Sequence, residues 1–328
     1  MAKTTRKAAA SRSPLGRAAT PSERDLEHAA AGLPIPGEPA LLWGLLGDLL
    51  RAPFWLLGVL FGRAQLRDGL RPLLRLFAFA TAARMTATLI VLNLAVFTAE
   101  IVARARGIGD AEILHTFALH PSDLLAGHYL PLVLHVFAHG SPAHLLGNML
   151  ALFVFGRVVE RHLGPARVLI AYALAAFVST NVSLMAQLLF PALSGGPLPT
   201  LGASGAVAGL VALAVLLQPL SITFEALIPL PLFVVGWLAM AADVLSLWRA
   251  AQGHAPRLLT GSAAATAAAT AAATAAVDHP AHLGGYLSAC LFYFLLKPQQ
   301  RAQARTGLYI NILSAALVFT VWNVWLRR

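Results

Sequence analysis

The sequence predicts an all-α fold, a polytopic transmembrane helix bundle, and three observations carry that reading. Of 328 residues, 58% are hydrophobic and only 12% charged, about half the charged share usual for a soluble domain, and mean hydropathy is +0.71. The apolar residues gather into stretches near the ~20 residues that cross a bilayer. Twelve of the 24 Lys and Arg residues precede Met85, as expected for a cytoplasmic N-terminus obeying the positive-inside rule.

Residues 1–38, rich in Ala, Ser, Pro and basic side chains, read as a disordered basic arm, and they hold no apolar core of a signal peptide. Residues 39–84 are apolar but broken by Asp48, Arg51, Pro53, Arg63, Arg67, Asp68, Arg71 and Arg75, which suits amphipathic helices at the membrane surface. A first span is expected at about 86–102. Residues 103–143 form a long loop of mixed polarity with several Gly, Pro and His residues. A second span follows at about 143–159, then a tight turn at Arg161–Pro165 and a third span at about 166–190. The loop Pro191–Pro199 leads to a fourth span from about Ala203 to before Pro219. A fifth is expected at about 226–247, a sixth at 281–296 and a seventh at 308–326. Gly261–Val277 is an Ala/Thr repeat, read as a loop or peripheral helix because Ala and Thr add little insertion energy. The organisation is thus an arm (1–38), interfacial helices (39–84), a six-helix core (85–297), and a linker with a seventh helix (298–328).

With the N-terminus inside, 18 basic residues fall on the cytoplasmic side and 6 on the other. The second, fourth and sixth spans then all start at the outer face, which places His144, Ser204 and His282 at one depth. The net charge of +10 has no aromatic interleaving, so it fits a positive-inside tail touching membrane lipids and no nucleic acid. Cys290 is the single cysteine, which excludes an internal disulfide. A composition rich in Ala, Leu, Gly and Arg suggests a GC-rich bacterial genome, and with the spans the expected location is a bacterial inner membrane.

Polar groups inside hydrocarbon cost free energy unless they find partners. Ser204, in Gly202-Ala203-Ser204-Gly205, reads either as a helix N-cap in a small-residue packing face, with Gly205 and Gly209, or as a nucleophile needing a base. His282 in Ala281-His282-Leu283-Gly284-Gly285 supplies that base if Gly285 and Ala289 let its helix approach Gly205 and Gly209. His279, before Pro280, is expected in the preceding loop. His144 and Asn148, four residues apart on one helix face, offer donors for an oxyanion, and the Ser204 backbone N–H can join them. Two other chemistries compete. His135, His139 and His144 hold enough imidazoles for zinc, but no HExxH accompanies them and Gly140 and Pro142 break the helix, so no metal and no cofactor is expected. Asp243 inside the fifth span suggests a proton path, although pairing with a loop or interfacial group is the simpler expectation.

Ala138–Met149, Gly202–Gly205 and Ala281–Gly285, in that order and spacing, resemble the signature blocks of rhomboid intramembrane proteases, and Gly156–Gly164 is similar to that family's second-helix ending. The resemblance covers roughly residues 85–297. It implies a rhomboid-like 6+1 arrangement of spans and a serine endopeptidase that cleaves transmembrane protein substrates with a Ser204–His282 dyad, no third acid being required. It further implies that His144 and Asn148 help form the oxyanion hole, that His135 and His139 are structural or water-organising, that Glu160 is a structural hydrogen-bonder and that Gly285 permits close helix contact. Two positions depart from the pattern. Ala208 stands where many members carry an aromatic that stacks on the catalytic histidine, with Tyr286 or Phe137 as possible substitutes, and Tyr129-Leu130-Pro131 replaces the usual Trp-Arg pair of the first loop. The alternative is a rhomboid-like protein that binds transmembrane helices without cleaving them.

Overall fold

A computed structural model describes residues 47, 51, 53–62, 83–122, 126–190, 199–225, 228–252, 277–321 and 323–324. The arm, most of the interfacial segment and the Ala/Thr repeat lie outside the described residues. Within 53–62, helical residues 53–60 expose Phe54, Leu56, Leu57 and Leu60.

The chain builds the predicted helix bundle. Helix α1 (Arg84–Ala105) is followed by two short loop helices, α2 (Asp110–Phe117) and α3 (Pro131–Leu134). Helix α4 (Pro142–Leu163) contains a π-helical stretch at Leu152–Gly156. Then come α5 (Pro165–Leu189), α6 (Ser204–Leu217), a hairpin of β1 (Ile222–Glu225) and β2 (Ile228–Pro231), α7 (Leu232–Ala251), α8 (His279–Tyr293) and α9 (Pro298–Val321). Among the described residues, five helices are long and apolar enough to cross a membrane: α1, α4, α5, Leu232–Arg249 of α7, and α9.

Local chemistry sets the boundaries. Helix α4 begins where the Ser141 hydroxyl accepts the His144 N–H at 3.2 Å, with Pro142 in the first turn, where its missing N–H costs nothing. Helix α8 begins where Asp278 accepts the Ala281 N–H at 2.9 Å, again followed by a proline in the first turn. The fifth span starts later than expected. Residues 222–231 pair antiparallel, Ile222 opposite Pro231 and Glu225 opposite Ile228, because Pro229 and Pro231 cannot supply the amides of a helix interior. In the other direction, α9 starts at Pro298, well before the expected Leu308, because its Gln- and Arg-rich first turns are helical although too polar to read as a span.

Helix α6 is the centre of the bundle, with every residue from Gly205 to Val215 buried. Its 14 residues extend about 21 Å, less than the ~30 Å hydrocarbon thickness. A helix enclosed by protein need not reach both surfaces, so its ends must find polar partners inside the bundle. At its C-terminal end, Asn311 and Gln303 of α9 donate to the Val215 and Leu217 carbonyls at 3.3 and 3.1 Å. Trp237 of α7 donates to Asn311 at 2.8 Å. At its N-terminal end lies Ser204.

Candidate active site

Helix α6 starts after a sharp turn at Gly202, whose φ of +115° is open to glycine and strained for other residues. A β-carbon there would sit 2.8 Å from Cε1 of His144 and 3.8 Å from Nδ2 of Asn148, so His144 and Asn148 both lean over this turn. The Gly202 N–H donates to the His135 carbonyl at 2.8 Å, which pins the turn to the end of α3. Ser204 is the first helical residue and Ala203 the N-cap, with no side-chain capping bond. The capping role considered for the Ser204 hydroxyl is therefore corrected: the group is not spent on the backbone of its own helix. The first-turn N–H groups have no carbonyl within the helix to bind.

Helix α8 lies directly against this turn. Gly285 sits on the Gly205 carbonyl, and a β-carbon at Gly285 would come 2.9 Å from that of Ala208. Gly209 meets Ser288 and Gly285 of the same helix. Ala208 is the small residue that lets α8 close. An aromatic side chain there would have no room, which accounts physically for the departure seen in the sequence.

His282 lies in the first turn of α8. Its Nδ1 is 3.0 Å from Oδ1 of Asp243, and its Nε2 is buried without a hydrogen-bond partner. No hydrogen bond joins Ser204 and His282; their chain neighbours meet, a β-carbon at Gly205 lying 3.3 Å from the Ala281 carbonyl. His144 is near enough to His282 for their charges to interact.

Two expectations are corrected here, and the partners of Asp243 are identified: it accepts from His279 Nδ1 at 2.7 Å, from His282 Nδ1 at 3.0 Å and from the Tyr286 hydroxyl at 2.7 Å, all on α8. His279 is not in the loop but opens α8, and its ring meets that of His282 edge-on at 6.2 Å. Neither proposed aromatic substitute stacks on His282, since Tyr286 is turned to Asp243 and Phe137 stacks with Tyr172.

The remaining histidines have partners of their own. His135 Nδ1 bonds the Pro131 carbonyl and Nε2 the Thr180 hydroxyl, both at 2.9 Å. His139 Nδ1 donates to the Phe137 carbonyl at 3.1 Å, which leaves Nε2 to accept from Asn148 Nδ2 at 3.0 Å. One amide hydrogen of Asn148 is thereby fixed and the other is free to face Gly202. Burial, with the nearby His144, pushes His139 down to about 4, and burial also lowers His135. These contacts use both ring nitrogens of His135 and of His139, two of the three histidines weighed for zinc. Among the described residues, the ligand atoms near enough to share an ion belong to Asp243, His279 and His282, and hydrogen bonds already join them.

Some contributors were not singled out from the sequence. Glu100 of α1 accepts the His139 N–H at 3.2 Å and so holds the loop that carries His139. Asp278 binds Ser183 at 2.5 Å besides capping α8. An Asp just before His-Pro is a readable helix-start signal, whereas no local pattern marks Glu100. Glu160 accepts from Met85 N, Thr86 N and Thr86 Oγ1 at 2.9, 2.8 and 2.7 Å, tying α4 to the start of α1. A narrow crevice beside Ser204, with a cavity volume of about 10 Å³, is lined in part by His135, Ser179, Thr180, Thr200 and Asp278.

The Rhomboid domain family model matches residues 126–299, more than half of the chain. RHOMBOID-like protein 12, mitochondrial, of Arabidopsis thaliana is 27% identical over 48% of this chain and 50% of its own length. Rhomboid-like protein 11, chloroplastic, from the same plant is 26% identical over 63% of this chain and 64% of its own. RHOMBOID-like protein 5 is 24% identical over 50% and 43%. The chain thus spans about half to two thirds of these relatives' length.

Proposed function

This chain belongs to the rhomboid family of integral membrane proteins, and on that premise we propose that it is an intramembrane serine endopeptidase cleaving peptide bonds within or next to transmembrane segments of other proteins. The observation that supports this reading most is the convergence at the head of α6. His144 and Asn148 lean over the Gly202 turn, two residues before a serine hydroxyl not used as a helix cap, and α8, which carries His282 with its bare buried Nε2, packs against α6 at Gly205 and Gly209.

In this reading Ser204 Oγ attacks the scissile carbonyl while His282 Nε2 takes its proton. The oxyanion forms within reach of His144, the free amide hydrogen of Asn148 and the Ser204 N–H. His282 then gives the proton to the departing amine, leaving an acyl group on Ser204. Water attacks this ester as His282 again accepts a proton, which it returns to the Ser204 oxygen as the acyl–Oγ bond breaks and the second product leaves as the acid. A substrate must locally unwind, because a helix shields its own carbonyls with hydrogen bonds.

The basic-residue asymmetry puts the N-terminus in the cytoplasm and the site toward the outer face. A bacterial inner membrane is proposed from composition alone; the names of the plant relatives place those proteins in mitochondria and chloroplasts and lend it no support. Labelling with a fluorophosphonate tests the chemistry. The reagent should modify the wild-type protein at Ser204, with or without a chelator, and should not modify S204A. Equal labelling of S204A would refute the assignment. A folded wild-type protein that takes no label would favour the non-catalytic, helix-binding alternative.

A further inference from the structure

The geometry points to Asp243 as the positioning acid of His282, so that the site works as a Ser204–His282–Asp243 triad assembled from three helices. This rests on the protease reading above.

Asp243 lies within the apolar stretch Leu232–Arg249 of α7 and is 5% exposed. A carboxylate there is costly unless it is well paired, and three donors meet it. His279, His282 and Tyr286 are spaced three and four residues apart on α8, hence on one helix face. The consequence for His282 is chemical. A ring nitrogen bonded to a carboxylate carries the proton, so in the neutral ring Nδ1 is the N–H and Nε2 holds the lone pair. Nε2 is the atom left buried without a partner. When Nε2 takes the Ser204 proton, the imidazolium forms beside the Asp243 carboxylate, which stabilises the charge without itself becoming protonated. Ala208 removes the usual stacking aromatic, and the carboxylate holds the ring through Nδ1 instead.

Among the described residues, other charged groups around this pair are few. Helix α6 carries no titratable side chain, and residues 176–189 of α5 carry none. α4 contributes His144, and Asp278 caps α8. His279 shares Oδ1 of Asp243 with His282. A purely structural role, in which Asp243 only ties α7 to α8, makes different predictions.

The test measures cleavage of a transmembrane reporter by the full-length protein in nanodiscs across pH 5–9, for wild type, S204A, D243N and D243E. It is paired with ¹⁵N-histidine NMR of S204A. Cleavage by wild type but not S204A secures the protease reading independently of Asp243. The triad then predicts that D243N loses about a hundredfold or more in kcat, as loss of the acid does in soluble triads, with KM changed less than about threefold. The acid limb of its pH profile should move to lower pH, since the imidazolium loses its counter-charge, and D243E should recover part of the rate. A D243N kcat within about threefold of wild type would overturn the inference, as would an equal loss at every pH that D243E does not relieve. If D243N does not fold, or if wild type itself does not cleave, the NMR decides: His282 protonated on Nδ1 supports the pairing, and His282 protonated on Nε2 overturns it.

Discussion

Single residues at the head of α6 have separable jobs, which makes their substitutions informative. Asn148 is held by one amide hydrogen to His139 and is proposed to offer the other to the oxyanion. N148A should therefore lower kcat by about 10²–10³ with little change in KM; an unchanged kcat in a reporter assay would remove Asn148 from the site. His139 makes a second prediction, of pH-dependent stability. Its folded value of about 4 lies below the ~6.5 of an exposed histidine, so the unfolded chain binds more protons between these two values. Its contribution is complete above about pH 6.5 and is lost as pH falls toward 4. His135 is shifted in the same direction, so H139Q should flatten part of the slope of Tm against pH and leave the rest. An identical slope in H139Q would contradict this. At this scale the sequence was most legible where chemistry is local: Ser204, His282, His144 and Asn148 stand in short, recognisable blocks. Asp243 was visible as an anomaly but its partners were not, because they lie 36 to 43 residues away and α7 has to be docked before the pairing exists.

Among elements, the contact of α6 with α8 decides whether the site forms. Gly285 rests on the Gly205 carbonyl, and a larger side chain there must push the helices apart. G285V should destabilise the fold by about 1–3 kcal/mol or more and abolish fluorophosphonate labelling; a G285V protein of wild-type Tm and labelling would show that the contact is dispensable. Glu160 anchors α1 through three hydrogen bonds. E160A leaves the Met85 and Thr86 N–H groups unpartnered and should cost about 1–3 kcal/mol, read as a lower Tm. Helix cores were readable from hydropathy, and the Ser-Pro and Asp-His-Pro starts of α4 and α8 obey capping chemistry. The hairpin was missed because an apolar run such as Ile222–Pro231 looks like the start of a span until its prolines are weighed. The polar first turns of α9 were missed for the opposite reason.

For the whole molecule, the account is a bundle built around a helix too short to span. Helix α9 gives the end of that helix the partners that the membrane cannot, through Asn311 and Gln303, and this assigns a physical task to a span that the sequence left without one. That His144, Ser204 and His282 stand at the starts of three helices was already legible from the order of spans. What counting did not supply was the lateral arrangement, which depends on small residues meeting across helices. The central claim, that this arrangement hydrolyses peptide bonds inside the membrane, is tested most directly by incubating the purified protein in lipid with a transmembrane reporter and following the cleaved fragment. The account predicts cleavage by wild type, with the rate falling to background in both S204A and H282A. A rate unchanged in either variant would contradict it.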